Sequence, residues 1–197
     1  MARRRKIHWL VVAVVLLAAA LSALAQNATR RPPNWARKIE LAGVPNCYQV
    51  TPNLYRGAQP TAAGMAHLQT LGVRYVVSLR FLRSDRHELR GTGLKGLNLS
   101  MVPWHAKTDE VVEFLKAVTN TNDLPAFVHC EYGADRTGLM CAMYRIAVCG
   151  WTKREAIAEM KNGGFHFRWK PLVSFVEKAD IADIKRRAGL AGSQVAD

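Results

Sequence analysis

Several things are scarce in this chain of 197 residues, and each scarcity excludes a class of protein. Only four residues are cysteine, and no C-x-x-C pair or His/Cys cluster occurs, so no zinc-type ligand set is present and no metal or cofactor is called for. Cys141 and Cys149 share one apolar helical pattern, "LMCAMYRIAVC", at a separation too great for a bond within a helix. They read as small buried hydrophobes rather than as halves of a disulfide. No basic block is longer than Arg3–Lys6, so a nucleic-acid-binding tail is not indicated and no nucleic acid is expected as partner. No low-complexity tract or internal repeat is visible, which removes solenoids and arrays.

What the chain does have begins at its N-terminus. Arg3, Arg4, Arg5 and Lys6 precede the apolar run Trp9–Leu21, and Ala23 and Ala25 follow as an A-x-A site. Together these predict a signal peptide or membrane anchor over residues 1–25, with residues 7–25 nearly long enough to span a bilayer. The basic end stays cytoplasmic and the domain ends up outside, exported (periplasmic or secreted) or held at the membrane, which it can contact through this segment. The net charge of +13 suits an anionic substrate or surface, and diffuse charge of this kind also serves solubility. Residues 26–45, with "RRPPN", read as a linker, 46–188 as the one folded domain, and 189–197 as a flexible tail.

Within the domain, "CYQV" and "LYRG" are strand candidates around a "TPN" turn. Thr61 caps a helix that Gly72 stops, and "VRYVVSL" and "LKGLNLSMV" are further strands. Thr108 or Asp109 caps a helix to about Val118, and "PAFVH" has the continuous apolar character of a buried parallel strand. A helix from about Thr137 to Cys149 follows. Thr152 and Glu155 form a capping box for another, and a last helix starts near Pro171. Strands interleaved with helices predict a single-domain α/β fold, a central sheet flanked by helices.

The segment "HCEYGADRTG", residues 129–138, joins the buried strand to the long helix. A loop of this length can wrap its backbone N–H groups around a tetrahedral oxyanion, with the positive end of the helix dipole behind them. Glu131, Tyr132, Gly133, Ala134, Asp135 and Arg136 form that loop. Gly133 lets it curl, and Arg136 can return across the cradle and grip two oxygens at once. Such a cradle favours thiolate over thiol at Cys130. His129 is placed to orient the loop through its backbone, and Thr137 can offer its hydroxyl to the sulfur.

These residues spell H-C-x(5)-R followed by Thr-Gly, and the chain resembles the cysteine-dependent protein tyrosine and dual-specificity phosphatases, most closely their small bacterial members. The resemblance extends over about residues 46–187, with "NLYRGAQP" and "GVRYVVSLR" also matching, although only 129–138 is highly specific. It implies a phosphatase-type sheet with its catalytic loop between strand and helix. It further implies attack of Cys130 on phosphorus, stabilisation of the equatorial oxygens by Arg136 and the loop amides, and hydrolysis of a phosphocysteine without metal.

The family's W-P-D acid motif is missing, and the corresponding region reads "VPWHAKTDE". Asp109 occupies the place in chain order where dual-specificity enzymes carry their acid, and it also reads as a plain helix cap. Asp135, inside "DRT", matches the position held to be the acid in myotubularin and Sac-type phosphatases, and is the favoured candidate. No lysine lies in the loop, while Glu131 and Asp135 add negative charge, which disfavours a highly phosphorylated ring. The expected partner is therefore a phosphorylated protein or small phosphomonoester, met by a monomer. A phosphoinositide or inositol phosphate phosphatase, a rhodanese-like sulfurtransferase and a non-catalytic phosphate-binding module are the alternatives.

Overall fold

The computed structural model describes residues 31–165, 168 and 170–190. The chain divides into two compact units, Met1–Asn34 and Trp35–Asp197, and the second holds the fold. The export segment expected over residues 1–25 lies outside the described residues, as do residues 191–197 of the expected tail. Among the described residues no helix is long and apolar enough to cross a membrane.

Six strands form one mixed sheet: β1 (Arg37–Lys38), β2 (Tyr48–Thr51), β3 (Leu54–Gly57), β4 (Tyr75–Ser78), β5 (Lys95–Asn98) and β6 (Ala126–His129). They lie in the order β1-β2-β3-β6-β4-β5. β1, β2 and β3 pair antiparallel, whereas β3, β6, β4 and β5 run parallel. The last strand in sequence thus lies mid-sheet, and every residue of β6 is buried. Its loop opens at the carboxyl edge of the parallel strands, where open α/β sheets bind ligands.

Alternation along the strands divides the core into two layers. Leu54, Val77 and Val128 face one side, under α2 (Thr108–Thr119), α3 (Asp135–Ala147), α4 (Lys153–Asn162), α5 (Lys170–Lys178) and α6 (Ile181–Arg187). Tyr55, Val76 and Phe127 face the other, against Met65 and Leu68 of α1 (Ala62–Thr70). α3 is buried at every residue from Thr137 to Ala147, so it is the central helix of the larger layer. Burying side chains such as Leu139 and Met140 there contributes roughly 1.5–3 kcal/mol each.

Local signals hold where they are chemical. The Thr61 hydroxyl accepts from Gly64 N, and Thr152 with Glu155 makes the capping box. All four cysteines are free, Cys141 buried and Cys149 half-buried.

Several boundaries differ from expectation. Residues 35–45 are not linker: β1 pairs with β2, Val44 is buried in the smaller core, and Ala36 N donates to buried Glu159 Oε1 at 2.5 Å. Their backbone donors have partners inside the domain, which a solvated linker would not need. The cap of α2 is neither Thr108 nor Asp109 but Lys107, whose N–H is received by Glu110 Oε2 at 2.9 Å. Glu110 is the better partner because it reaches back a full turn. α3 begins at Asp135, so Asp135 and Arg136 belong to its first turn. α6 adds a helix that was not anticipated, capped by Asp180, which accepts from Asp183 N.

Candidate active site

Cys130 follows β6 directly and is 3 % exposed, at the base of the loop. From Cys130 to Ala134, each backbone carbonyl has a donor. His129 Nδ1 is 3.2 Å from Cys130 O, and Gln59 N donates to Glu131 O at 3.2 Å. Asn46 Nδ2 donates to Tyr132 O at 2.9 Å. Arg56 Nη2 donates to Gly133 O at 2.5 Å and reaches Ala134 O at 3.4 Å, which also accepts from Gly138 N at 2.7 Å. Carbonyl and N–H point in opposite directions across a trans peptide. Holding these carbonyls from outside therefore turns the following amides toward the inside of the loop.

Three residues make that arrangement possible. Gly133 has φ +65, and a Cβ there would lie 2.5 Å from Ala58 N and closer still to the Gly57 carbonyl. The loop thus rests on the end of β3. Arg56, on β3 itself, is 1 % exposed and stacks its guanidinium 3.5 Å over the Phe165 ring. Asn46 is held at φ 54, a left-handed conformation uncommon outside glycine, while its side chain reaches the loop.

The start of α3 completes the cradle. Ala134 is its cap residue and offers no side-chain acceptor, so the first amides of the helix keep their capacity to bind an anion. Arg136 commits Nη1 to Leu79 O at 3.0 Å and Met101 O at 3.3 Å, which fixes the guanidinium between the ends of β4 and β5. Thr137 is fully buried and its Oγ1 has no hydrogen-bond partner among the described residues, so the expected bond to sulfur is not made here.

Behind the loop His129 is fully buried, with Nε2 2.6 Å from Asp85 Oδ2. Gln59 Nε2 donates to Asp85 Oδ1 at 3.2 Å and Arg80 Nη1 to Gln59 Oε1 at 2.9 Å, while Arg80 also pairs with Glu131. Burial would raise the Asp85 carboxyl, but the hydrogen bond and charge of His129, with the bond from Gln59, together hold it below the usual aspartate range.

The two acid candidates have different settings. Asp135 is half-buried, accepts from Arg168 N at 2.6 Å, and lines a cavity of about 840 Å³ with Tyr132, Ala134 and Arg168. Asp109 is 83 % exposed and ion-paired with Arg187 of α6. Glu131 and Tyr132 are exposed on the rim. Among the described residues, no group of His, Cys, Asp or Glu is placed to hold a metal.

The loop residues named from sequence thus come together, but their supports Arg56, Gln59, Asn46 and Asp85 were missed. An arginine between the apolar and glycine positions of "LYRG" is the one signal that could have marked Arg56, because a charge in a buried strand needs a fixed partner.

An oxyanion cradle at the carboxyl edge of such a sheet, with a cysteine at its base, is the construction of a cysteine-dependent phosphatase. The chain belongs to that superfamily: the family model described as DSP-PTPase phosphatase fused to NAD+ Kinase matches residues 33–168. Dual specificity protein phosphatase TpbA of Pseudomonas aeruginosa is 36% identical over 174 residues, covering 82% of this chain and 76% of that protein. The crystal structure of a TpbA variant in complex with pTyr matches at TM-score 0.72 and 34% identity, over 83% of this chain and 99% of that one. An inositol diphosphatase of Arabidopsis thaliana, DSP3, is 27% identical over 157 residues, covering 74% of this chain and 75% of its own.

Proposed function

We propose that this protein is a phosphomonoesterase of the tyrosine and dual-specificity type, acting through a phosphocysteine on phosphotyrosine or phosphoserine/threonine in protein, or on small monoesters. The observation that carries this reading is the outward tethering of the loop carbonyls, which leaves inward amides around the position above Cys130. In the first step the Cys130 thiolate bonds to phosphorus as the ester P–O bond breaks, with Arg136 and the amides stabilising the equatorial oxygens. Asp135 gives its proton to the departing oxygen. In the second step water attacks phosphorus, Asp135 takes a proton back, and the sulfur leaves as thiolate; the Thr137 hydroxyl, uncommitted to any other partner among the described residues, is available to turn toward it at that stage.

Asp135 is favoured as acid because it stands at the start of α3 and borders the cavity beside the loop. Asp109 is committed to Arg187 instead. The relationship to an inositol diphosphatase keeps inositol phosphates as the second reading, against which stand the carboxylates of Glu131 and Asp135 and the absence of loop lysines. The test is a panel of phosphopeptides, phosphoinositides and inositol phosphates with wild type and Cys130→Ser. Hydrolysis of phosphopeptides, lost in Cys130→Ser while vanadate still binds, is the expected result. Turnover in Cys130→Ser comparable to wild type overturns the mechanism, and preference for an inositol phosphate replaces the substrate.

We infer in addition that residues 1–25 carry the domain out of the cytoplasm, supported by the basic-apolar-small order of that segment. Fusing residues 1–45 to a reporter active only outside the cytoplasm tests this. A silent, cytoplasmic fusion refutes it.

A further inference from the structure

Asp85 lies far from the loop in sequence and belongs to no part of the H-C-x(5)-R pattern. It is nonetheless 6 % exposed, and its shortest hydrogen bond to the loop runs through the ring of His129. His129 faces an acceptor at each nitrogen: the Asp85 carboxylate at 2.6 Å from Nε2 and the Cys130 carbonyl at 3.2 Å from Nδ1. Neither acceptor can donate, so both contacts are made only when both ring nitrogens carry hydrogen. The ring itself, fully buried and stacked on Phe127 with centroids 5.8 Å apart, stands directly behind the Cys130 peptide.

We propose that Asp85 is a positioning residue for the phosphatase reaction: through the His129 ring it holds a positive charge against the backbone of Cys130 and so favours the thiolate. This rests on the phosphatase reading of the loop. A buried imidazolium needs a compensating anion, and among the groups packed around it Asp85 supplies that anion. The remaining charged groups nearby meet Asp85 from its other sides. Gln59 joins it to Arg80, Arg80 pairs with Glu131 on the loop, and Arg86 lines the cavity next to it. The chain from Glu131 through Arg80, Gln59 and Asp85 to His129 also closes back on the loop at Cys130 O. The carboxylate thereby fixes two points of the loop.

A cavity of about 440 Å³, lined by Asp85 with Ser78, Ser84, Arg86 and Asn98, provides the means of a decisive test. A small carboxylate such as formate can enter a space of that size and stand where the Asp85 side chain was removed. The measurement is the rate of iodoacetamide alkylation of Cys130 against pH, read by peptide mass spectrometry on the full chain, beside the pH profile of kcat/KM for an aryl phosphate. Asp85→Asn should move the onset of alkylation to higher pH and lower kcat/KM at pH 6 about tenfold, with KM little changed. Asp85→Glu should restore most of the wild-type profile, and formate should restore part of it in Asp85→Ala. Should those variants fold poorly, Gln59→Met keeps the carboxylate but removes one of its bonds, and should shift the same profiles in the same direction by less. Alkylation and kcat/KM profiles that superimpose on wild type, with only thermal stability reduced, overturn the proposal. So does the absence of formate rescue in a folded Asp85→Ala. Failure of the phosphatase reading itself would show separately, as turnover surviving in Cys130→Ser.

Discussion

Between Cys130 and Ala134 each carbonyl is tethered by a donor from β3, the residues just before β2 or just after β3, His129 or α3, and the tether from Arg56 is buried. Between Val102 and Ala106, at the same edge of the sheet, the turn bond from His105 N to Val102 O is long at 3.4 Å and Trp104 is 57 % exposed, and firm bonding begins only at Lys107, the cap of α2. The two regions differ in what their chemistry demands. A cradle for a tetrahedral anion gains its catalytic value from dipoles fixed before the reaction begins. A segment bordering a cleft needs only to admit the remainder of the substrate, and fixing it would serve nothing. The proposed acid, Asp135, stands on the braced side, in the first turn of α3, whereas Asp109 follows the looser segment.

After loss of Cys130 itself, substitution of Asp135 should cost the most activity. Asp135→Asn should slow alkyl phosphates, whose leaving group needs a proton, by ~10²–10⁴-fold, while leaving aryl phosphates with good leaving groups far less affected. Steady-state rates across a series of leaving groups check this, as a steeper dependence on leaving-group acidity in the variant. Equal losses along the series would make Asp135 a builder of the cradle, bonded to Arg168 N for that purpose.

Next in size is the removal of a tether. Arg56→Met keeps much of the volume against Phe165 but leaves Gly133 O without its donor, and the loop amides lose their fixed direction. We expect kcat/KM to fall by about 10²–10³-fold for good and poor leaving groups alike, the size associated with losing an oxyanion donor. Vanadate affinity measured by calorimetry should fall in parallel. A variant with wild-type affinity and rate would show that the loop holds its shape without β3.

The contrast also explains what could be read from sequence. The loop was legible because its chemistry is local: a cysteine, a glycine and an arginine at fixed spacing after "PAFV" can hardly serve another end. Strands β2, β3, β4 and β6 and the caps at Thr61 and Thr152 were legible for the same reason, each resting on neighbours within a few residues. What could not be read was long-range. Arg56 meets Gly133, and Asp85 meets His129, only once the parallel sheet sets β3, β6 and β4 side by side. The role of residues 35–45 was hidden too, because a short edge strand with two prolines upstream looks like linker until Glu159 is seen to receive Ala36 N.

Smaller changes are expected at the cysteines outside the loop. Burial pushes the Cys47 and Cys141 thiols up to about 11 from an ordinary value of 9.0. Both remain neutral in the folded chain where the unfolded chain would already ionise them. Their contribution to stability is therefore complete below pH 9 and lost between pH 9 and about 11. The loss is at most on the order of 2–3 kcal/mol for each thiol. Denaturation midpoints of wild type and Cys47→Ala, Cys141→Ala across that range check it, with the variant declining less steeply.

The smallest effect belongs to the other aspartate. Asp109 is 83 % exposed, and its pair with Arg187 ties the first turn of α2 to α6 at the surface. Exposed ion pairs contribute about 0–1 kcal/mol, because solvent screens the attraction and both side chains must be held in place. A carboxylate at that position of α2 also gains a few tenths of a kcal/mol from the helix dipole. Asp109→Asn should therefore lower stability by about 1 kcal/mol or less, with no change in how rate depends on the leaving group. Raising the salt concentration should shrink even that difference, which distinguishes a surface pair from a buried contact. A steep new dependence on leaving-group acidity in Asp109→Asn, absent from Asp135→Asn, would reverse the assignment. It would mean that the loosely held segment moves inward during turnover, breaking the Arg187 pair to bring its acid to the cradle.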